Sequence, residues 1–225
     1  MGAVIEAGEI ELPPNGAFES PEAVLALAPD RNTLARQWHA NIRADVLPGR
    51  SGWGPRKVHI NSWDALGINL SQDGLMRLAD AAAQVGVERF VLDDGWFKRR
   101  RSTVSSLGDW TVCPDIFPDL LTPLIEHVHQ HAMDFGLWVE PEMVSPDSDL
   151  FRAHPDWCLH GASDDRPTMR GQLVVDLTLD DARRHIGAQL DRLLYDHRLL
   201  TSSGITIATF SPQARDSARP RDFIS

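Results

Sequence analysis

The sequence is poor in cysteine, in positive charge and in long apolar runs. Its two cysteines, Cys113 and Cys158, stand far apart with no metal or redox spacing. They read as isolated thiols of a reducing compartment. Lys and Arg total 22 against 32 Asp and Glu, a net charge of −10 at pH 7. That balance excludes a nucleic-acid surface or an anionic membrane as partner. No run is long enough to span a membrane. The start, Met1-Gly2-Ala3-Val4-Ile5-Glu6, has neither the basic nor the apolar region of a secretory signal, and Glu6 spoils a myristoylation pattern. A Gly-rich phosphate loop and a nucleophile elbow are both missing, so no cofactor is expected. These absences predict a soluble, cytoplasmic protein.

What is present is a recurring pattern. Three apolar strand-like runs break into carboxylate, aromatic and amide side chains: Val58-His59-Ile60-Asn61-Ser62-Trp63, Phe90-Val91-Leu92-Asp93-Asp94-Gly95-Trp96 and Gly136-Leu137-Trp138-Val139-Glu140-Pro141-Glu142. Helical patterns separate them, over 73–85 (Leu75, Leu78, Ala82, Val85, stopped by Gly86) and 119–132 (Leu121, Leu124, Val128, Ala132). Strands are expected at 57–61, 89–93 and 135–140. Long loops follow at 97–118 and 141–171, then an extended piece at 172–176 and a helix at 180–196. The alternation predicts an α/β fold with a parallel sheet. Functional side chains on loops after the strands favour part of a (β/α)8 barrel over a doubly wound sheet. Upstream, 3–28 reads as strand fragments around a Pro13-Pro14-Asn15-Gly16 turn, and 31–46 as a helix capped by Asp30.

Acid pairs beside indole rings suit a sugar: carboxylates for hydroxyls, a flat apolar face for the ring. Asp93 and Asp94 can serve one pocket only if the chain leaves strand geometry there, which Gly95 permits; otherwise they are ordinary acids of a solvated turn. Trp138 and Trp63 fit a pocket wall or a core equally well. Glu140 and Glu142 fit a loop acid and a salt bridge. His127 and His131 share a helix face without an apparent third ligand, so an exposed helix face is expected rather than a metal site. Lys98-Arg99-Arg100-Arg101 reads as a solvated charge run.

Longer motifs carry a resemblance. His59-Ile60-Asn61-Ser62-Trp63-Asp64-Ala65, Phe90 to Phe97, Leu107-Gly108-Asp109-Trp110, Gly136 to Met143, Asp147 to Leu150, His154-Pro155-Asp156-Trp157 and Gln172 to Leu177 resemble, in order, the bacterial α-galactosidases of glycoside hydrolase family 36. The resemblance implies a retaining hydrolase of terminal α-galactosides, built as an N-terminal β-sandwich, a (β/α)8 catalytic barrel and a C-terminal β domain. Residues 1–28 are then the remnant of the sandwich, 29–56 a helical connector and 57–198 the first three strands of the barrel. It implies that Asp93 and Asp94 bind galactose hydroxyls, that Trp138 lines the same subsite, that Trp63 forms its wall and that Arg170 contributes. The family has asparagine where this sequence has Gly171.

The family's nucleophile lies in a Lys-Trp-Asp segment of the fourth strand, which this sequence lacks, and its acid/base residue comes later still. No catalytic residue is therefore assigned. Read one base earlier, codons for Leu200 to Phe210 can spell Tyr-Phe-Lys-Trp-Asp-His-Asn-Arg-Asp-Phe. This predicts a frameshift near Arg198–Leu200 and an out-of-frame, disordered tail over 199–225. Three readings follow, in order: an inactive piece of an α-galactosidase, a non-catalytic galactoside-binding pseudoenzyme, and a complete small hydrolase using Asp94 with Glu140 or Glu142.

Overall fold

The structure is a computed structural model and describes residues 12–20, 23–46, 57–160, 166 and 168–196. The expected strands before Leu12, the linker at 49–55 and the 199–225 tail lie outside them. The chain divides into two units, with the boundary after Arg56.

In the first unit, the Pro-Pro-Asn-Gly turn is present. The Gly16 amide donates to the Pro13 carbonyl at 2.8 Å, and Asn15 takes φ 65°, as the third position of a type II turn requires. Val24 to Leu27, expected as a strand, forms none; a strand needs a partner ladder, and none is described for it. Helix α1 (Arg31–Asn41) begins at Asp30, whose side chain accepts from the Thr33 amide. It does not run unbroken to residue 46. It passes into a π-helical turn over Ile42–Val46. None of its residues is buried, and the apolar stripe of Leu34, Trp38, Ile42 and Val46 meets no core among the described residues.

In the second unit, β1 (His59–Asn61), β2 (Arg89–Leu92) and β3 (Asp134–Leu137) form a parallel sheet in that order. His59 pairs with Arg89, and Arg89 with Asp134. A short helical turn, α2 (Trp63–Leu66), follows β1. The crossovers are α3 (Gln72–Gln84) and α4 (Thr122–Gln130). Ser71 caps α3 by accepting from the Gly74 amide, and Gly86 ends it at φ 82°. Phe90, Leu92, Phe135 and Leu137 of the strands pack with Leu75, Ala79, Leu124 and Val128 of these helices. Two predicted core positions are exposed, Val85 and Ala132. Each sits where its helix has already ended, and Ala132 has turned to φ 57°. Beneath the strands, Asp134 pairs with Lys57 at 2.6 Å and Arg89 at 3.2 Å.

The segment expected as one long loop over 141–171 is more ordered than that. It contains β4 (Met143–Val144), α5 (Asp149–Ala153), a 3-10 turn at Pro155–Trp157 and β5 (Thr168–Met169). With β6 (Gln172–Val174) these strands form a small antiparallel sheet in the order β4-β6-β5. Helix α6 (Asp180–Asp196) covers it. Val144, Leu150, Leu173, Val175, Ala182 and Ile186 make this second apolar cluster. Strand β6 falls within the extended piece expected at 172–176, whereas two-residue strands such as β4 and β5 are too short to show periodicity.

Candidate functional site

Each parallel strand delivers polar or aromatic groups at its C-terminal end, as the barrel reading expects. A cavity of about 500 Å³ lies there, lined by Asn61, Trp63, Asp93, Asp94, Arg100, Thr103, Trp138, Glu140, Met169 and Arg170. All five residues singled out by the resemblance, Asp93, Asp94, Trp138, Arg170 and Trp63, are brought to this one cavity.

The backbone departure that the adjacent aspartates require is present. Strand β2 ends at Leu92, and Gly95 takes φ 102°. A side chain at Gly95 would also press on the Ile68 backbone at 3.1 Å. The Asp93 amide donates to Ser62 Oγ at 2.9 Å, and Asp93 Oδ1 accepts from the Asp94 amide at 2.7 Å. Its other oxygen takes a short hydrogen bond from Asn61 Nδ2, while Asn61 Oδ1 accepts from the Trp63 amide at 2.8 Å. One chain of contacts thus ties the ends of β1 and β2 together and fixes both the acid and the backbone that bears an indole.

Asp94 is buried, and its carboxylate is gripped at two points by Arg100: Nε to Oδ1 at 2.8 Å and Nη2 to Oδ2 at 2.6 Å. Arg100 Nη1 donates to the Ser105 carbonyl at 2.6 Å, and its guanidinium lies over the Phe97 ring. The solvated reading of the basic run is therefore wrong for Arg100, which is 3% exposed. It holds for Lys98, Arg99 and Arg101, which are exposed. A planar fork matched to a carboxylate overcomes the desolvation that normally keeps arginine outside.

Trp138 is half-buried. Its amide donates to the Leu92 carbonyl and its carbonyl accepts from Trp96 Nε1, both at 2.9 Å. Its ring meets Trp110 edge to face. Trp63 is 39% exposed at the rim. Both indoles keep surface for a ligand.

Glu140 is a cavity residue that the sequence offered only as a loop acid or as the partner of Asp94 in a small hydrolase, not as part of the sugar subsite. It is 1% exposed, and burial pushes its carboxyl up to about 7 against the pull of Arg170. Arg170 Nη2 reaches its Oε1 at 3.2 Å. The available signal was position: Glu140 lies at the end of the same run as Trp138. Asn61, Thr103 and Met169 were likewise not singled out.

Arg170 and Gly171 are the two central residues of the β5–β6 hairpin, with Met169 paired to Gln172. Their φ values are 55° and 71°, the double left-handed pair of a type I′ turn. Asparagine and glycine are the residues that best accept that conformation. Gly171 therefore suits the turn, as would the asparagine that the family resemblance implies there.

Cys113 and Cys158 are both buried and free, and burial raises the Cys158 thiol to about 11. Among the described residues, no helix is long and apolar enough to cross a membrane.

The melibiase family model matches residues 17–200. The chain belongs to the melibiase family. An α-galactosidase of Escherichia coli is 42% identical over 168 residues, covering 74% of this chain and 23% of that protein. The crystal structure of the family 36 α-galactosidase AgaB of Geobacillus stearothermophilus superposes with a TM-score of 0.67 at 39% identity, over 78% of this chain and 23% of that one. A variant of AgaA from the same organism, solved with raffinose, gives a TM-score of 0.67 at 37% identity, over 78% of this chain and 24% of its own. The chain spans about a quarter of the length of these melibiases.

Proposed function

We propose that the cavity binds the terminal galactosyl group of an α-galactoside, and that the chain carries the first three strands of a retaining α-galactosidase barrel. The supporting observation is the convergence of Trp63, Asp93, Asp94 and Trp138, from three successive parallel strand ends, on one cavity with Arg170 at its edge. Asp93 accepts sugar hydroxyls through the lone pairs its neighbours leave free. Asp94, held rigid by Arg100, does the same from deeper in. The indoles offer flat faces to the sugar ring, and Arg170 donates at the open side. The setting is cytoplasmic.

In this reading the 225-residue chain recognises galactosides without cleaving them. A retaining mechanism needs a free carboxylate nucleophile and a second carboxyl about 5–5.5 Å away. Both Asp94 oxygens are occupied by Arg100, which counts against a small self-contained hydrolase using that residue. The same reading expects the family's Lys-Trp-Asp segment in the alternative frame of codons 200–210, and DNA spanning them tests that part.

Calorimetric titration of the purified chain with raffinose and with galactose tests the binding. The expected result is saturable binding, weakened at least tenfold by Trp138→Ala and by Asp93→Ala in folded protein. No binding, or unchanged affinity in both variants, overturns the assignment.

A further inference from the structure

On the opposite side of the second unit from its chemistry-bearing loops, helices α3 and α4 bring three ligand-type side chains together. His127 lies on α4, and His131 caps its C-terminus four residues on. Asp80 comes from α3. His127 Nε2 and His131 Nε2 both lie 2.7 Å from the same oxygen, Asp80 Oδ1. The sequence offers the two histidines without a third ligand; the packing of α3 on α4 supplies one.

We propose that Asp80, His127 and His131 bind a divalent transition-metal ion of the zinc class, which clamps α3 to α4. The ligand atoms all lie within 4.8 Å of one another. Tetrahedral zinc holds nitrogen and oxygen ligands at about 2.0–2.2 Å, which sets them roughly 3.3 Å apart. Each histidine nitrogen must therefore draw back from Asp80 Oδ1 by about half an ångström. They have the room: His127 is 25% exposed, His131 34% and Asp80 45%. The backbones that carry them are fixed, because Ala79 beside Asp80 and Val128 beside His127 are buried in the core. Two imidazoles and one carboxylate select zinc, nickel, cobalt or copper over magnesium and calcium, which prefer all-oxygen sites. The exposed edge leaves the fourth position to water. This inference is independent of the sugar cavity, so failure of either leaves the other standing.

The test is a calorimetric titration of the full chain with zinc chloride, paired with thermal melts. Zinc is expected to raise Tm by about 5 °C at a hundredfold excess over Kd. EDTA reverses the rise, and magnesium chloride does not produce it. Asp80→Asn and His131→Gln each weaken zinc binding at least tenfold. His129→Gln, an exposed control on the same helix, leaves it unchanged. X-ray absorption of the zinc-loaded wild-type chain shows two imidazole ligands, a readout that needs no variant to fold. No zinc binding, an oxygen-only coordination shell, or unchanged affinity in both site variants overturns the proposal, as does loss of binding in His129→Gln.

Discussion

Arg100 and Asp94 form a two-point ion pair with both side chains out of solvent, at 2.8 and 2.6 Å. The pair links the end of β2 to the loop that follows it. A buried pair of this kind adds little relative to a well-packed apolar substitute, but breaking one half leaves a bare buried charge. Arg100→Met is therefore expected to cost about 3–5 kcal/mol of stability, read by urea denaturation. The double variant Arg100→Met/Asp94→Leu should recover most of that loss. A single variant within 1 kcal/mol of wild type would mean the pair does not anchor the loop.

The 225-residue chain is expected to leave an aryl α-galactoside uncleaved, at the rate of a no-enzyme control. Double displacement needs a nucleophile, and the Asp94 carboxylate is immobilised by Arg100. Release of the aryl group that vanishes with Asp94→Ala or Glu142→Ala would establish a self-contained hydrolase instead.

Glu140 makes stability depend on pH. Its carboxyl, ordinarily near 4.5, is raised to about 7 by burial, so the folded state holds a proton that the unfolded state has released across that window. The contribution is fully present below about pH 4.5, declines as pH rises and is lost above about pH 7, a span of roughly 3 kcal/mol. Glu140→Gln, which is uncharged throughout, should flatten this slope and be more stable than wild type at pH 8. Parallel pH–stability curves for the two proteins between pH 5 and 8 would refute the burial argument.

The hairpin turn predicts an asymmetry at position 171. Gly171→Asn should change Tm by little, because asparagine accepts left-handed φ. Gly171→Val should destabilise the hairpin by about 1–2 kcal/mol, since a β-branched residue resists φ of 71°. The valine variant should also weaken raffinose binding by displacing Arg170, seen in the same titration. Equal behaviour of the two variants would rule the turn out as the cause.

The three parallel strands, their crossover helices and the cavity residues Trp63, Asp93, Asp94 and Trp138 were legible because each rests on a contiguous signal; Arg170 came from the family resemblance alone. Strong apolar runs end abruptly in polar groups, and Asp30 and Gly86 mark helix ends chemically. Arg100 was not legible. Four consecutive basic residues look alike in sequence, and only the tertiary position of Asp94 selects which one is buried. The third member of the histidine cluster was hidden for the same reason, as Asp80 lies 47 residues before His127. Val24 to Leu27 shows the opposite case, an apolar run with strand composition that joins no ladder among the described residues.

The two long loops are sewn to each other. The carboxylate of Asp109 accepts from the amides of Asp149 at 2.7 Å and Leu150 at 3.0 Å, Asp147 accepts from the Ser106 amide at 2.8 Å, and Leu107 and Ser145 exchange two further hydrogen bonds at 2.9 and 3.1 Å. The Gln172 side chain adds a bond to the Thr103 carbonyl at 2.9 Å. Neither loop can swing without tearing the other, so the two loops behave as a single plate rather than two flaps. The amides of Ser106, Leu107 and Leu150 are expected to share one opening event in hydrogen exchange. Insertions that reshape one loop must be matched in the other, which makes the pair, not either segment, the unit in which this cavity can change its shape.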